Sequence, residues 1–268
     1  MDLVFDIGGT TTRLALAENK QLVGEPVTFP TPQNFSEAVA TLESSAKQLL
    51  NGQLPAKVAG GIAGPFNSDK STLVSAPNLP DWIGKPIKSE FERIFQTSVI
   101  LENDTALGGL GEATVGAGKD FSIVAYLAVG TGVGGCRIVN KQIDQNAQGF
   151  EPGHQIVAQN ERNTFTLEQL ISGAALKNRY NLAEGEQPSE TLVDELAWQL
   201  AVGLHNLTLI WSPEVIILGG GVINSGVIPL PQVQAYMQNM MQTFAEIPQL
   251  LPSQLQDKAG LFGAATIL

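Results

Sequence analysis

Cysteine is almost missing from this chain. Cys136 stands alone among 268 residues, which excludes an intrachain disulfide framework and any cysteine-cluster metal site, and suits a reducing cytosol. Basic residues are scarce as well. Fifteen Lys and Arg against 26 Asp and Glu leave a formal net charge of −11, and no Lys/Arg cluster offers a footprint for nucleic acid or an anionic membrane. A small polyanion would have to be held by backbone amides at glycine turns and a helix end. No run approaches the ~20 apolar residues that span a bilayer. The first strand carries Asp2 and Asp6 where a signal peptide would carry positive charge and a long apolar stretch. The expected compartment is therefore the cytoplasm, with neither nucleic acid nor membrane as a partner. What is present is a 43% hydrophobic, 15% charged composition, enough to bury one large core or two packed lobes.

Strand and helix patterns alternate along the chain in an α/β manner. Apolar stretches predict strands at Asp2–Asp6, Arg13–Ala17, Lys57–Ile62, Val99–Glu102, Ser122–Val129, Gly135–Val139 and Val215–Leu218. Helical spacing predicts helices at Ser36–Leu50, Glu90–Phe95, Leu107–Gly111, Thr166–Ile171, Glu190–Trp211 and Gln232–Phe244, with a short Gly/Ala-rich helix at the C-terminus. No low-complexity tract or flexible linker separates them.

The chain also echoes itself. Gly9-Thr10 returns as Gly130-Thr131, and Asn19-Lys20-Gln21 returns as Asn140-Lys141-Gln142, both at an offset of 121 residues. In each copy an apolar strand enters a Gly/Thr turn and a second strand leaves it toward an Asn-Lys turn. A single Gly-Gly-Thr would read as an ordinary tight hairpin, but repetition at one offset weakens that reading. Exposed amides and Thr hydroxyls at such turns suit phosphate oxygens. Asp6, ending an apolar strand beside the first turn, is placed to hold a water of hydrated Mg²⁺; its plainer role would be to accept from the turn's own amides.

Two more constellations carry polar chemistry. In VILENDTALGGLGEA, a strand ends at Glu102-Asn103-Asp104 before a small-residue helix. Asp104 reads either as that helix's N-cap or, at the carboxyl end of a strand where α/β ligands sit, as the base that takes a proton from an attacking hydroxyl. In GFEPGHQIVAQNERNTFTLEQLISG, Glu151 and His154 flank a Pro-Gly turn and Glu168 opens a helix. With the upstream Asn78 they make a donor and acceptor set suited to several sugar hydroxyls, although each residue singly reads as a surface group.

Together, Asp6-Ile-Gly-Gly-Thr with Arg13, Glu102-Asn103-Asp104, Gly130-Thr131-Gly132-Val133-Gly134-Gly135, Glu151-Pro152-Gly153-His154 and Gly219-Gly220-Gly221 resemble the ROK sugar kinases, a group that includes bacterial glucokinases. The five motifs occur in that family's order over essentially the whole chain. The resemblance implies a two-lobed, actin-like and hexokinase-like ATPase fold of the α/β class, with ATP and a sugar meeting in the cleft. An N-terminal lobe of 1–105, completed by a C-terminal helix in 254–268, and a second lobe of 106–253 are expected. The resemblance implies Asp104 as the base; Asn78, Asn103, Glu151, His154 and Glu168 holding a hexose, with Gly64 near it; Gly8, Gly9, Thr10, Thr11, Thr131 and Gly132 taking phosphates; and Gly219, Gly220 and Gly221 beside adenosine. The implied reaction is ATP- and Mg²⁺-dependent phosphorylation of a hexose 6-hydroxyl, with glucose favoured over fructose or N-acetylmannosamine and ATP favoured over polyphosphate. A catalytically silent sugar sensor of the same fold is the second alternative. Homodimers are common in the family, so a homodimer is an expected partner. Family repressors carry an N-terminal helix-turn-helix for which a strand starting at Asp2 leaves no room.

One departure stands out. Many members carry a Cys-x-Cys-Gly-x-x-Gly-Cys-x-Glu zinc loop after the Gly-His pair. With its last Glu on Glu168, the cysteine positions fall at Gln159, Glu161 and Thr166, none of which supplies a thiolate. No structural zinc is expected, and Phe165 and Leu167 are the candidates for ordering this stretch by packing.

Overall fold

The computed structural model describes residues 1–183 and 185–268. In chain order the elements begin β1 (Asp2–Ile7), β2 (Thr11–Glu18), β3 (Gln21–Pro30), α1 (Phe35–Leu49), β4 (Val58–Ile62), α2 (Ile87–Phe95), β5 (Val99–Asn103), α3 (Asp104–Val115), β6 (Ile123–Val129), β7 (Val133–Val139) and β8 (Gln142–Ile143). They continue with β9 (Ile156–Asn160), β10 (Asn163–Thr166), α4 (Leu167–Ile171), α5 (Gly173–Asn178), α6 (Glu190–Trp211), β11 (Val215–Gly219), α7 (Gly221–Asn224), α8 (Leu230–Met240), β12 (Gln249–Pro252) and α9 (Ala259–Ile267). The chain divides into two compact units: Met1–Val115 with Gln145–Gly149 and Lys258–Leu268, and Gly116–Asp144 with Phe150–Asp257.

The first unit is built on a five-stranded sheet in the order β3-β2-β1-β4-β5. β1 pairs antiparallel with β2 and parallel with β4, which is parallel to β5. A core of Leu3, Phe5, Leu14, Val39, Leu42, Trp82 and Phe91 packs behind it, with the Phe5 and Phe91 rings edge to face at 5.4 Å. α3 belongs wholly to this unit and runs beyond the boundary expected at residue 105, because it packs on α9. A Cβ on Gly263 would stand 1.9 Å from the Leu107 carbonyl oxygen, and one on Gly111 2.3 Å from that of Ala259. The Gly/Ala composition of both helices is what allows their backbones to touch.

The second unit repeats the pattern in the order β12-β11-β6-β7-β8. β6 pairs antiparallel with β7 and parallel with β11, which is parallel to β12. The hairpin β1–β3, then β4 and β5, therefore correspond to β6–β8, β11 and β12. The echo extends to single dihedral angles: Asn19 and Lys20 sit at φ 51° and 63°, Asn140 and Lys141 at 51° and 62°. Positive φ at both central residues is the two-residue type I′ turn that matches strand twist. Leu127, Leu167, Leu200, Leu204, Ile216 and Val233 form this unit's core.

The stretch aligned with the family's zinc loop is a β-hairpin of β9 and β10. Leu167 is fully buried beneath it. Phe165 packs against the same core, with the Arg179 guanidinium 4.7 Å above its ring. Thr166 closes a reciprocal capping box with Gln169 at the start of α4.

Candidate active site

In the first unit the carboxyl ends of three parallel strands lie in register. Asp6 pairs with Gly61, which pairs with Glu102, and the next row is Ile7, Ile62 and Asn103. The sheet thus brings Asp6, at the end of β1, and Asp104, just past β5, to one edge. Asp104 is not the cap of α3. Asn103 fills that role, its Oδ1 accepting from the Ala106 N–H at 3.0 Å, while its Nδ2 donates to the Gly64 carbonyl at 3.2 Å. One side chain therefore joins the helix start to the glycine expected near the sugar. Asp104 opens the first turn, with Oδ1 accepting from the Thr105 N–H at 2.7 Å. Lys70 forms an ion pair with Glu102, whose other oxygen accepts from the Asn103 N–H at 2.9 Å. The residue preceding Asn103 is thereby fastened to the loop that lies between Gly64 and Asn78.

The first Gly/Thr turn lies against Asn78. A Cβ on Gly9 would fall 2.4 Å from the Asn78 Cβ, so only glycine lets the turn and this side chain meet. The turn's carbonyls all point backward. Gly8 O accepts from Thr31 Oγ1 at 2.8 Å, Gly9 O from Gln33 Nε2 at 3.0 Å, and Thr10 O from the Thr31 N–H at 2.9 Å. Gly8 N–H is used within the turn, on Thr11 O. Among the described residues none accepts from the N–H of Gly9 or Thr10. With acceptors withdrawn and amides presented, the turn has the polarity of an anion nest.

The second unit's turn has the same polarity by other means. Gly130 O accepts from the Gly173 N–H at 2.7 Å, Thr131 O from that of Ala174 at 3.2 Å, and Gly132 O from that of Gly130 at 2.9 Å. Glu168 reaches this turn from α4: its Oε2 accepts from the Val133 N–H at 2.7 Å and would touch a Cβ on Gly132 at 2.5 Å. Glu151 and His154 flank the short turn that packs on β7, with Oε2 and Nδ1 3.3 Å apart. Burial pushes the Glu151 carboxyl above its usual range against the lowering effect of His154, and the Glu168 charge pushes it in the same direction as burial. The polar residues expected around the sugar in this unit are thus one electrostatic cluster.

Gly219 ends β11, and Gly220 follows at φ 87°. A Cβ there would meet Val129 O at 2.4 Å, so Gly219 to Gly221 bend around the strand that feeds the Thr131 turn. The duplicated scaffold does not duplicate chemistry: Leu127 stands 121 residues after Asp6, and Ser253 follows β12, the strand equivalent to β5, after which Asp104 stands.

Asp6 offers a hard oxygen donor, and Gly260 lies so close that a Cβ there would meet its carboxylate oxygens at 2.9 Å. Among the described residues no group of three or more His, Cys, Asp or Glu is arranged to hold a metal. A single carboxylate fits Mg²⁺, which keeps several waters and is shared with substrate phosphates. Nor is any described helix long and apolar enough to cross a membrane.

Thr31, Gln33 and Lys70 were not among the residues expected to matter. Thr31 and Gln33 reach the turn through the β2–β3 register, Thr11 opposite Pro30, and no local motif signals that. Lys70 projects from a loop turned by Asn67, whose Oδ1 accepts from the Ser71 N–H at 2.9 Å and the Thr72 N–H at 3.1 Å; an Asx-turn pattern was the available signal.

A two-unit fold with one five-stranded sheet order used twice and an amide-lined turn in each copy defines an actin-like, hexokinase-like sugar-kinase fold. The ROK family profile matches residues 3–268, and the chain belongs to the ROK family. It is 26% identical to a glucokinase of Thermotoga maritima across 98% of this chain and 95% of the relative. It is likewise 26% identical to an N-acetyl-D-glucosamine kinase of Pectobacterium carotovorum, across 98% and 97%. The crystal structure of a ROK glucokinase from Streptomyces griseus in complex with glucose and AMPPNP superposes with a TM-score of 0.83 at 25% identity, covering 99% of this chain and 98% of that one.

Proposed function

We propose that the protein transfers the γ-phosphoryl group of ATP to the 6-hydroxyl of a hexose, glucose first. The observation that carries this reading is that Asn103 caps α3, so that Asp104, in the same first turn, is not needed for the cap, which supports a role for it in proton transfer. Asp104 accepts the hydroxyl proton as the sugar oxygen forms its bond to the γ-phosphorus; the bond from that phosphorus to the β–γ bridging oxygen breaks, and ADP leaves with the electron pair. Asn78, Asn103, Glu151, His154 and Glu168 hold the sugar hydroxyls, with Gly64 beside them. The amides and hydroxyls of Gly8 to Thr11 and of Thr131 and Gly132 receive phosphate oxygens, and Gly219 to Gly221 lie along adenosine. Mg²⁺ bound by the phosphates, with Asp6 holding one of its waters, would supply charge neutralisation for the transferring group.

Glucose is supported by the glucokinase names of relatives and by the glucose bound in the Streptomyces griseus structure; the N-acetylglucosamine kinase relative makes hexosamines the next sugars to try. The test is ADP release with Mg²⁺-ATP against glucose, mannose, fructose, N-acetylglucosamine and N-acetylmannosamine, with Asp104→Asn alongside. One sugar should turn over, and the variant should lose about 10²–10⁴-fold in kcat. Sugar binding with no ADP release across the panel would replace a kinase with a sugar sensor, and an undiminished Asp104→Asn rate would remove Asp104 from the chemistry.

A further inference from the structure

A turn that binds an anion through its amides must also keep its carbonyls away from that anion, since each exposed oxygen repels what the neighbouring N–H attracts. In the first unit this second requirement falls on two residues outside every glycine motif, Thr31 and Gln33, in the segment between β3 and the Asn34 cap of α1. Three consecutive carbonyls, at Gly8, Gly9 and Thr10, are bound by the Thr31 hydroxyl, the Gln33 amide and the Thr31 N–H. Thr31 is 6% exposed and its hydroxyl also meets that of Thr12 at 2.9 Å, itself 2% exposed. Gln33 is exposed and contributes no core packing. Among the described residues its Nε2 reaches only the carbonyls of Gly9 and Thr31. In the second unit the same work on the carbonyls of Gly130 and Thr131 is done by the backbone N–H groups of Gly173 and Ala174, so among the described residues it is the first turn whose carbonyls are held by side chains that can be exchanged.

We propose that Thr31 and Gln33 are positioning residues for the nucleotide's phosphates: they hold the carbonyls of Gly8 and Gly9 back so that the amides of Gly9 and Thr10 face the anion. This rests on the phosphoryl-transfer reading above. Neither residue touches substrate. Each acts through the orientation of peptide planes, so the affected quantity is affinity for the phosphate-bearing substrate, with the sugar's own affinity left in place. Gln33 restrains the Gly8–Thr11 turn from the solvent side and Thr31 from the buried side.

The test compares Gln33→Met, which keeps length and loses the donor, with Thr31→Val and Thr31→Ser, which lose and keep the hydroxyl. KM for ATP and for the sugar are measured separately on each full-length variant, and binding of ADP by calorimetry gives a readout that needs no turnover. Gln33→Met and Thr31→Val should each raise KM for ATP and weaken ADP about 3- to 10-fold, the factor one hydrogen bond is worth, with KM for sugar unchanged. Thr31→Ser should restore the parent value. Equal rises in both KM values, or a fall in kcat alone, would make the two residues merely structural and overturn the proposal; so would unchanged ADP binding. Thr31→Val risks the fold because its hydroxyl is buried, but Gln33 is exposed, so Gln33→Met decides the matter by itself. If the parent protein binds ADP yet phosphorylates none of the sugars, the kinase reading fails while the ADP arm still judges the proposal. A parent protein that binds no nucleotide overturns both.

Discussion

Gly263→Ala is the sharpest probe of how Asp104 is held. The new Cβ would lie 1.9 Å from the Leu107 carbonyl oxygen, 2.6 Å from its carbon and 2.9 Å from its Cα. All three are backbone atoms, so no rotamer change relieves the contact. Reaching even 3.0 Å requires α3 and α9 to part by about 1 Å in a core packed without slack. Overpacking of this kind costs about 1–3 kcal/mol, and the better helix propensity of alanine returns at most about 1 kcal/mol. A net loss of about 1–2 kcal/mol should lower the melting temperature by roughly 2–8 °C. The displacement also reaches the catalytic candidate, because α3 begins at Asp104, and a 1 Å error in such a group costs up to ~10²-fold in rate. Gly84→Ala is the companion: φ there is 71° with nothing within 4 Å of a new Cβ, so it should cost about 1–2 kcal/mol of left-handed strain and leave kcat alone. Circular dichroism melts and ADP release on both variants make the comparison. A Gly263→Ala protein as stable and as active as its parent would refute the close packing of α3 on α9 and the argument that this packing positions Asp104.

Other outcomes follow from the second unit. The Glu151 carboxyl is raised above its unfolded value by burial, so the folded state binds that proton more tightly. Ionising Glu151 then costs stability, by an amount absent below its unfolded range near 4.5 and growing until the pH passes the folded value. Glu151→Gln should accordingly melt slightly higher than the parent at neutral pH, with the gain vanishing in acid, while losing sugar affinity; a lower neutral melting temperature would contradict the sign. Elemental analysis of the purified protein should find no stoichiometric zinc, and a chelator should leave its melting temperature unchanged. Near one zinc per chain would show that ligands other than the three replaced cysteines serve the site.

What could be read from the sequence was what is encoded locally or repeated. α6 matches its predicted span because its N-cap Ser189 and its apolar face lie in one continuous pattern. The 121-residue echo predicted a duplicated hairpin, and the shared sheet order bears that out. β3 was missed because it is an edge strand, exposed along most of its length and interrupted by Gly24 and Pro26, which leaves no alternation to detect. β12 was missed because four half-exposed residues carry too little pattern. α8 stops at Met240, short of the expected Phe244, and α3 runs from Asp104 to Val115, beyond the expected Leu107–Gly111, since packing on α9 sets its length. At the site, the carboxylates and glycines were legible as types. That Asn103 rather than Asp104 caps the helix, and that Gly9 rests on Asn78, depend on strand register and on contacts between residues far apart in the chain.

The placement of α9 bears on how the protein comes into being. Its residues complete a core whose first strand begins at Asp2, yet they follow the whole second unit in the chain. During synthesis the second unit has all its strands and helices as soon as Asp257 emerges, whereas the first must wait with one side of β1, β4 and α3 uncovered. Chaperones and premature association therefore have their target in the half that is made first and finished last. Ribosome-bound chains halted before residue 259 should present that exposed surface, and α9 should be the segment whose arrival withdraws it.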